Sequence, residues 1–327
     1  MTVLVTGASG HLGEALVREL GRKGEKVRGV DVLPSAFTSD VGSITDREFV
    51  RRCLTGVRAV LHAATLHKPH VATHTRQEFV DVNVTGTLNL LEEAQAAGVR
   101  AFVFTSTTSV FGDALSPPEG APAAWITDEV SPVPKNIYGV TKLAAENLCS
   151  LMHRLYGLPV VVLRTSRFFP EDDDDRAMRS AYAGANAKAN ELLFRRVDIE
   201  DAVDAHLLAM ERAGDIGFGK YIISATTPFL REDSAELRCD APSVVSRRAP
   251  GYAETYGRMG WRMFPSIDRV YDNASARAEL GWRPRHDFAS VLARLAAGGS
   301  VESDLARAVG AKGYHPETFL DGPYPVS

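Results

Sequence analysis

Tyr138 and Lys142 stand four residues apart in Tyr138-Gly139-Val140-Thr141-Lys142, so on a helix a phenol and an ammonium share one face. Such a pair suits proton transfer. A phenol with an ordinary pKa of about 10 is a poor base near neutrality, and a neighbouring cation favours its phenolate. Upstream, Thr105-Ser106-Thr107-Thr108-Ser109-Val110-Phe111-Gly112 ends an apolar run and sets hydroxyls at the carboxyl end of a strand, where open α/β sheets receive ligands. A hydroxyl-rich turn can also serve only to cap backbone groups. At the N-terminus, Val3-Leu4-Val5 feeds into Gly7-Ala8-Ser9-Gly10-His11-Leu12-Gly13 and then to Asp31. That order reads as strand, glycine turn, helix, strand, acid. Glycine backbone can approach a pyrophosphate, the helix from about His11 to Lys23 turns its N–H groups and positive dipole end toward phosphate, and Asp31 is placed to accept from a ribose diol. A carboxylate there repels a 2′-phosphate, so NAD is expected rather than NADP. No metal is needed for hydride chemistry.

The elements that position these groups follow from periodicity. Apolar β-type runs recur at Val3 to Thr6, Lys26 to Val30, Ala59 to His62, Ala101 to Ser106 and Val160 to Arg164, with helical patterns between most of them. This alternation predicts an α/β fold, a Rossmann-type doubly wound parallel sheet covered on both faces. Helices are expected over Val80 to Ala97 and Tyr138 to Tyr156, then around Arg179 to Leu193, with a strand over Phe194 to Ile199 and short apolar runs at Tyr221 to Ser224 and Ser243 to Arg247. The expected division is a nucleotide-binding domain over residues 1–165, with 194–218 returning to it, and a smaller interleaved substrate-binding part from 166–193 and 219–327. The 327 residues, 45% hydrophobic, can bury a large core. A net charge of -4 without any basic stretch interleaved with aromatics argues against nucleic acid. Cys53, Cys149 and Cys239 lack paired spacing, and no leader or membrane-spanning stretch is evident, so reduced thiols, a cytoplasmic location and no membrane partner are expected.

The Gly-x-x-Gly-x-x-Gly spacing resembles the extended, epimerase-like branch of the short-chain dehydrogenase/reductase superfamily. Leu61-His62-Ala63-Ala64, the stretch from Asn83 to Leu91, Ile199 to His206 and Leu280-Gly281-Trp282-Arg283-Pro284 resemble other segments of that family, so the likeness reaches in pieces to about residue 290. The resemblance implies a coenzyme site of Gly7, Gly10, His11, Leu12, Gly13, Asp31, Asp40, Val41, Ala63, Ala64, Asn83, Tyr138 and Lys142. It implies Tyr138 as base, Lys142 as its electrostatic partner and ribose ligand, and Thr107 as the hydroxyl that orients substrate, with Ser106 the alternative. Asn83 is implied to support the architecture behind the site, and two helices, Val80 to Ala97 and Tyr138 to Tyr156, to form a homodimer interface.

The departures from the family pattern bear on substrate. Where sugar-nucleotide enzymes of this branch carry Asn, an aromatic and Gly-Pro, this chain has Arg167-Phe168-Phe169-Pro170 followed by five acids, Glu171 to Asp175. Cations available for an anionic substrate are Arg167, Arg195, Arg196 and Arg238, and alternation along a strand would let only one of Arg195 and Arg196 face the site. Thr107, Thr108, Arg167 and Arg196 are therefore the expected substrate contacts. His62, His67, His70 and His74 lack metal-site spacing, so no metal is expected, while His67 and Lys68 lie where they can touch coenzyme or substrate. The chemistry expected is NAD-dependent oxidation of a secondary hydroxyl of a sugar or nucleotide sugar, giving epimerisation if the hydride returns to the other face. The alternatives are a dehydrogenase of a free sugar, sugar acid or other small alcohol, and a non-catalytic NAD sensor, against which retention of Thr107, Tyr138 and Lys142 argues.

Overall fold

The computed structural model describes residues 1–173, 175–313 and 319. Along the chain the strands are β1 (Thr2–Thr6), β2 (Val27–Asp31), β3 (Asp40–Val41), β4 (Val57–His62), β5 (Ala101–Thr107), β6 (Ala124–Ile126), β7 (Val160–Thr165), β8 (Phe218–Ile223) and β9 (Arg269–Tyr271). Seven of them form one parallel sheet in the order β3-β2-β1-β4-β5-β7-β8. The helices that concern the site are α1 (His11–Arg22), α2 (Arg47–Cys53), α3 (Arg76–Val80), α4 (Gly86–Ala96), α5 (Ile137–Tyr156), α6 (Arg176–Ala181), α7 (Gly184–Glu191) and α8 (Ile199–Ile216).

Strand parity explains the two layers. Val3, Val5, Leu61, Val103, Val161 and Leu163 pack with α1 and α8 on one face, while Leu4, Val60, Phe102, Phe104 and Val162 pack with α2, α4 and α5 on the other. Each fully buried side chain of this size contributes roughly 1.5–3 kcal/mol. A third core, including Leu193, Phe229, Val244, Tyr256 and Phe288, holds the smaller part together, and β6 pairs there with β9. Trp282, fully buried, docks on the sheet unit by donating its indole N–H to the Asp201 carbonyl at 3.0 Å.

Several elements differ from the sequence expectation. Residues 192–195 form a turn, Arg196 makes a single bridge to Arg167, and Ile199 already opens α8, so no strand runs over Phe194 to Ile199. Ser243 to Arg247 lies inside a helix, Ala241–Arg248, opened by the Asp240 side chain accepting from Ser243 N–H. The helical stretch around Arg179 to Leu193 is two helices, α6 and α7, broken where Tyr182 is extended. Strand β8 lies in the main sheet beside β7, so residues 218–223 belong with the nucleotide-binding unit rather than with the smaller part. Between α3 and α4 the chain makes a π turn, Asp81–Thr85, that carries Asn83.

Candidate active site

The strand order reverses between β1 and β4, and the glycine turn lies at the carboxyl end of β1, in the crevice where doubly wound sheets take ligands. Its glycines answer different demands. Gly7 has φ +76°, and a Cβ there would also meet Ala64 N at 2.8 Å. A Cβ on Gly13 would lie 1.8 Å from the Gly7 carbonyl oxygen. Gly7 and Gly13 thus let the turn close on Ala63, Ala64 and itself, whereas a Cβ on Gly10 would meet only the Gly7 oxygen, at 3.3 Å. Gly10 caps α1 and brings no side chain to its first N–H groups, leaving a bare helix start of the kind that takes phosphate. Asp31 closes the other end: its carboxylate accepts from Ser9 N–H at 3.0 Å and Leu33 N–H at 2.9 Å, with lone pairs left for a diol. The donor set and the cradle fit NAD. Asp40 and Val41 lie in β3 beside Asp31, but Asp40 faces Arg28 at 3.6 Å and Val41 is exposed.

The proton-transfer groups converge from β5 and α5. The Asn136 side chain opens α5 by accepting from Gly139 N–H, and its inward face carries Tyr138, Thr141, Lys142, Ala145, Glu146 and Cys149 at helical spacing. Tyr138 and Lys142 are both buried. Thr107 is close enough to Tyr138 to act on its phenol, and its hydroxyl accepts from Ser109 N–H at 3.1 Å. Ser106 is turned away: its hydroxyl donates to Glu146 at 2.6 Å. Thr108, also buried, starts a short 3-10 turn running to Phe111.

Burial pushes the Tyr138 phenol up to about 12, with the neighbouring Thr107 opposing. Burial likewise pulls Lys142 down to about 7, against Cys149 and Glu146, and its Nζ lies 4.0 Å from the centre of the Phe104 ring. Burial in the low-dielectric pocket disfavours the charged form of each group.

Asn83 ties these parts together. It accepts from Thr65 Oγ1 and Leu66 N–H, and donates to the Leu66 carbonyl and to Thr141 Oγ1, all within 2.8–3.0 Å. The loop after β4 is thereby locked to the helix that carries Tyr138. His67, next along that loop, lies with its ring 6.5 Å from that of Tyr138 and 5.4 Å from that of Phe169, and burial holds it well below the usual imidazole range. His62 is structural, between the hydroxyls of Thr6 and Thr87 at 2.8 and 3.0 Å.

The arginines are engaged internally. Arg195 and Arg196 both reach Glu191, each at 2.7 Å, and Arg196 also donates to the Phe169 carbonyl at 3.0 Å. Only a strand would have sent them to opposite faces; the turn sends both to one carboxylate. Arg167 is 2.9 Å from Asp173, and Arg238 donates to the Ala121 carbonyl at 3.2 Å. Glu171 and Asp173 of the acidic run therefore turn inward, while Asp172 is exposed. Asp175 caps α6, and Glu171 accepts from His11 Nε2 at 2.7 Å and from Lys312 N–H at 3.0 Å, beside the start of α1. Burial would raise the Glu171 carboxyl, yet His11 and the backbone N–H groups hold it below its usual range. Asp174 lies outside the described residues. Arg167, Asp173, Lys188, Glu191 and Arg196 line a cleft of about 140 Å³.

Asp198, Glu200 and His286 come close enough to suggest a cation site. Arg294, however, donates to His286 Nδ1 at 2.6 Å, which leaves Nε2 carrying the proton and turns an N–H, not a lone pair, toward the carboxylates.

Comparison with known proteins agrees with this architecture. The model of the NAD dependent epimerase/dehydratase family matches residues 3–223. A UDP-glucose 4-epimerase of Streptomyces lividans is 31% identical over 331 residues, covering 88% of this chain and 93% of that protein. A 3-beta-hydroxysteroid dehydrogenase of Mycolicibacterium neoaurum is 32% identical over 328 residues, covering 86% and 87%. The chain spans only 40% of the length of another relative, the uncharacterized protein y4nG of Sinorhizobium fredii, at 36% identity over 168 residues. Among solved structures, a short-chain dehydrogenase/reductase superfamily protein from Agrobacterium tumefaciens with bound NAD superposes with a TM-score of 0.66 at 25% identity, covering 94% of this chain and 97% of that one. The chain belongs to the NAD dependent epimerase/dehydratase family and is an NAD-dependent enzyme of the short-chain dehydrogenase/reductase type.

Proposed function

We propose that the protein oxidises a secondary hydroxyl of a sugar or nucleotide sugar, with Tyr138 as the base, Thr107 as the hydroxyl that holds the reacting oxygen and Lys142 as the cation that stabilises the phenolate. The observation that carries this reading is the convergence of three buried side chains, Thr107 at the ligand-receiving end of β5 and Tyr138 and Lys142 one turn apart on the inward face of α5. When bound, NAD supplies the hydride acceptor. Leu12 and Gly13 would hold its diphosphate through backbone N–H groups, with Gly10 leaving the approach open, and Asp31 would hold its ribose. With the coenzyme in place, the Lys142 cation would draw the phenol down from its raised value, and Tyr138 would accept the hydroxyl proton of a substrate alcohol whose carbinol hydride goes to NAD. A keto product that stays and turns over is reduced on its other face, which is epimerisation; one that leaves makes the enzyme a dehydrogenase. Likeness to the UDP-glucose 4-epimerase supports the first outcome.

A second reading, a dehydrogenase of a non-nucleotide alcohol, is favoured by the arginines. Arg167 and Arg196, expected to contact an anionic substrate, face Asp173 and Glu191 instead, and a relative of equal likeness is a 3-beta-hydroxysteroid dehydrogenase. A panel of UDP-sugars, free sugars, uronates and hydroxysteroids separates the two: isomer formation without net NADH supports the epimerase, and steady NADH release with one substrate supports the dehydrogenase. Replacing Tyr138 with Phe should lower either activity by at least about 100-fold while NAD still binds; full activity in that variant removes the proposed base.

Homodimerisation through α3 to α5 belongs to the same proposal, supported by the exposed Val80, Val140, Leu155 and Tyr156. Light scattering on the purified protein tests it. Among the described residues no helix is long and apolar enough to cross a membrane.

A further inference from the structure

Behind the proposed base lies a buried ion pair that the reaction does not itself use. Glu146 is fully buried on α5, one turn beyond Lys142 on the same face. Arg164, from β7, donates to it through Nη2 at 2.8 Å and Nε at 3.1 Å, and the Ser106 hydroxyl donates at 2.6 Å from the residue preceding Thr107. Arg164 is itself fixed, with Nη1 on the Asp128 carbonyl at 3.2 Å and its guanidinium 5.0 Å from the centre of the Phe111 ring. One carboxylate thus joins the three elements that carry Thr107, Lys142 and the neighbouring strand.

Lys142 has no ion-pair partner within 4.0 Å among the described residues, and a buried ammonium without compensation loses its proton. The groups around it are Tyr138, Glu146 and Cys149 on its own helix, Phe104 from β5, and His62 and His67 from β4 and the loop after it. Burial keeps both histidines neutral and the Cys149 thiol protonated. Glu146 is the anion left to act on Lys142.

We propose that Glu146 is a positioning residue, whose carboxylate, held by Arg164 and Ser106, keeps Lys142 an ammonium inside the pocket and fixes the strand end that presents Thr107. The inference rests on the Tyr138–Lys142 reading above but makes a separate claim about charge. A pair retained only for packing would alter stability and leave the Lys142 titration where it is.

The test is a pH titration of Lys142 in coenzyme-free protein labelled with ¹³C at lysine Cε, its resonance assigned by loss in Lys142→Met. In Glu146→Gln the midpoint should fall by about one pH unit, and the alkaline decline of kcat should move down with it. Breaking a buried pair can prevent folding. Lys220→Met guards against that outcome: Lys220 Nζ lies 3.9 Å from Glu146 on the partly exposed strand β8, and its removal should unmask the carboxylate and raise the midpoint by a few tenths of a unit. Opposite shifts in the two variants support the proposal, as does the Lys220→Met rise alone if Glu146→Gln does not fold. A midpoint unmoved in Lys220→Met, or in a folded Glu146→Gln, overturns it. Activity surviving in Tyr138→Phe would instead remove the base and leave the Lys142 titration unchanged, so the two failures are distinguishable.

Discussion

Two glycines in one turn serve different purposes, and alanine separates them. A Cβ on Gly13 would lie 1.8 Å from the Gly7 oxygen, 2.5 Å from its carbonyl carbon and 2.9 Å from Ala8 Cα. All three are main-chain neighbours or nearly so, and no rotamer relieves them, so Gly13→Ala must lift α1 from the turn. Overpacking of this kind typically costs about 1–3 kcal/mol, and a 1.8 Å approach puts it at the top of that range or above. At roughly 2 °C per kcal/mol for a large domain, the coenzyme-free protein should melt about 6 °C lower. Gly10→Ala meets a single oxygen at 3.3 Å, which a shift of a few tenths of an ångström accommodates. Its melting temperature should move by no more than about 1 °C. Its methyl group, however, stands at the bare start of α1, where the diphosphate is proposed to lie, and NAD affinity should fall about 10- to 100-fold, roughly 1.4–2.7 kcal/mol. Calorimetric melting of both coenzyme-free variants, with NAD titration by isothermal calorimetry, measures the pair. Wild-type melting of Gly13→Ala, or wild-type NAD affinity in Gly10→Ala, would refute the reasoning.

Asn83→Leu removes the bonds to Thr65, Leu66 and Thr141 and strands the Leu66 backbone groups, so urea unfolding should show a loss of about 3 kcal/mol together with a fall in kcat of more than about 10-fold. Asp173→Asn withdraws the carboxylate that faces Arg167, and inhibition by UDP should tighten about 10-fold; an unchanged inhibition constant would mean that these arginines do not face the substrate. Burial, opposed by the Ala202 carbonyl, lowers His206 to about 4. The unfolded chain, with an ordinary imidazole near pH 6.5, therefore takes up the proton first. The stability that follows is complete above about pH 6.5 and falls by about 3 kcal/mol as the pH drops toward 4. Denaturant melts at a series of pH values should show a shallower acid decline in His206→Gln.

What the sequence discloses depends on how far apart the partners lie. The turn from Gly7 to Gly13 and the acid at Asp31 are legible because strand, turn and helix are contiguous, and Tyr138 with Lys142 because one helix sets their spacing. The alternation of apolar runs discloses the sheet because each core strand is buried on both faces. Residue type alone says nothing of the demand that Gly13 meets, since its contact is to Gly7 within the protein and not to a ligand. Glu171 is opaque for a different reason: it meets His11 across 160 residues and Lys312 across 141, and no local pattern carries that information.

The arginines show where a local signal is present but misread. Period-two alternation over Phe194 to Ile199 would separate Arg195 from Arg196, yet Glu191 sits four and five residues before them, within one helical turn of both. A carboxylate at that offset competes with strand formation, because holding two guanidiniums in a buried turn satisfies three charged groups that an extended segment would leave to water. Burial drives the Glu191 carboxyl up, but Arg195, Arg196 and Arg167 together hold it well below its usual range. Neutralising Glu191 would therefore leave the partly exposed Arg167 and Arg195 to Asp173 alone and the buried Arg196 to the Phe169 carbonyl, while neutralising Arg195 or Arg196 leaves the other still paired. A cation in a sequence is a candidate for binding an anionic substrate only once its nearest internal acid has been accounted for, and here that acid precedes both arginines.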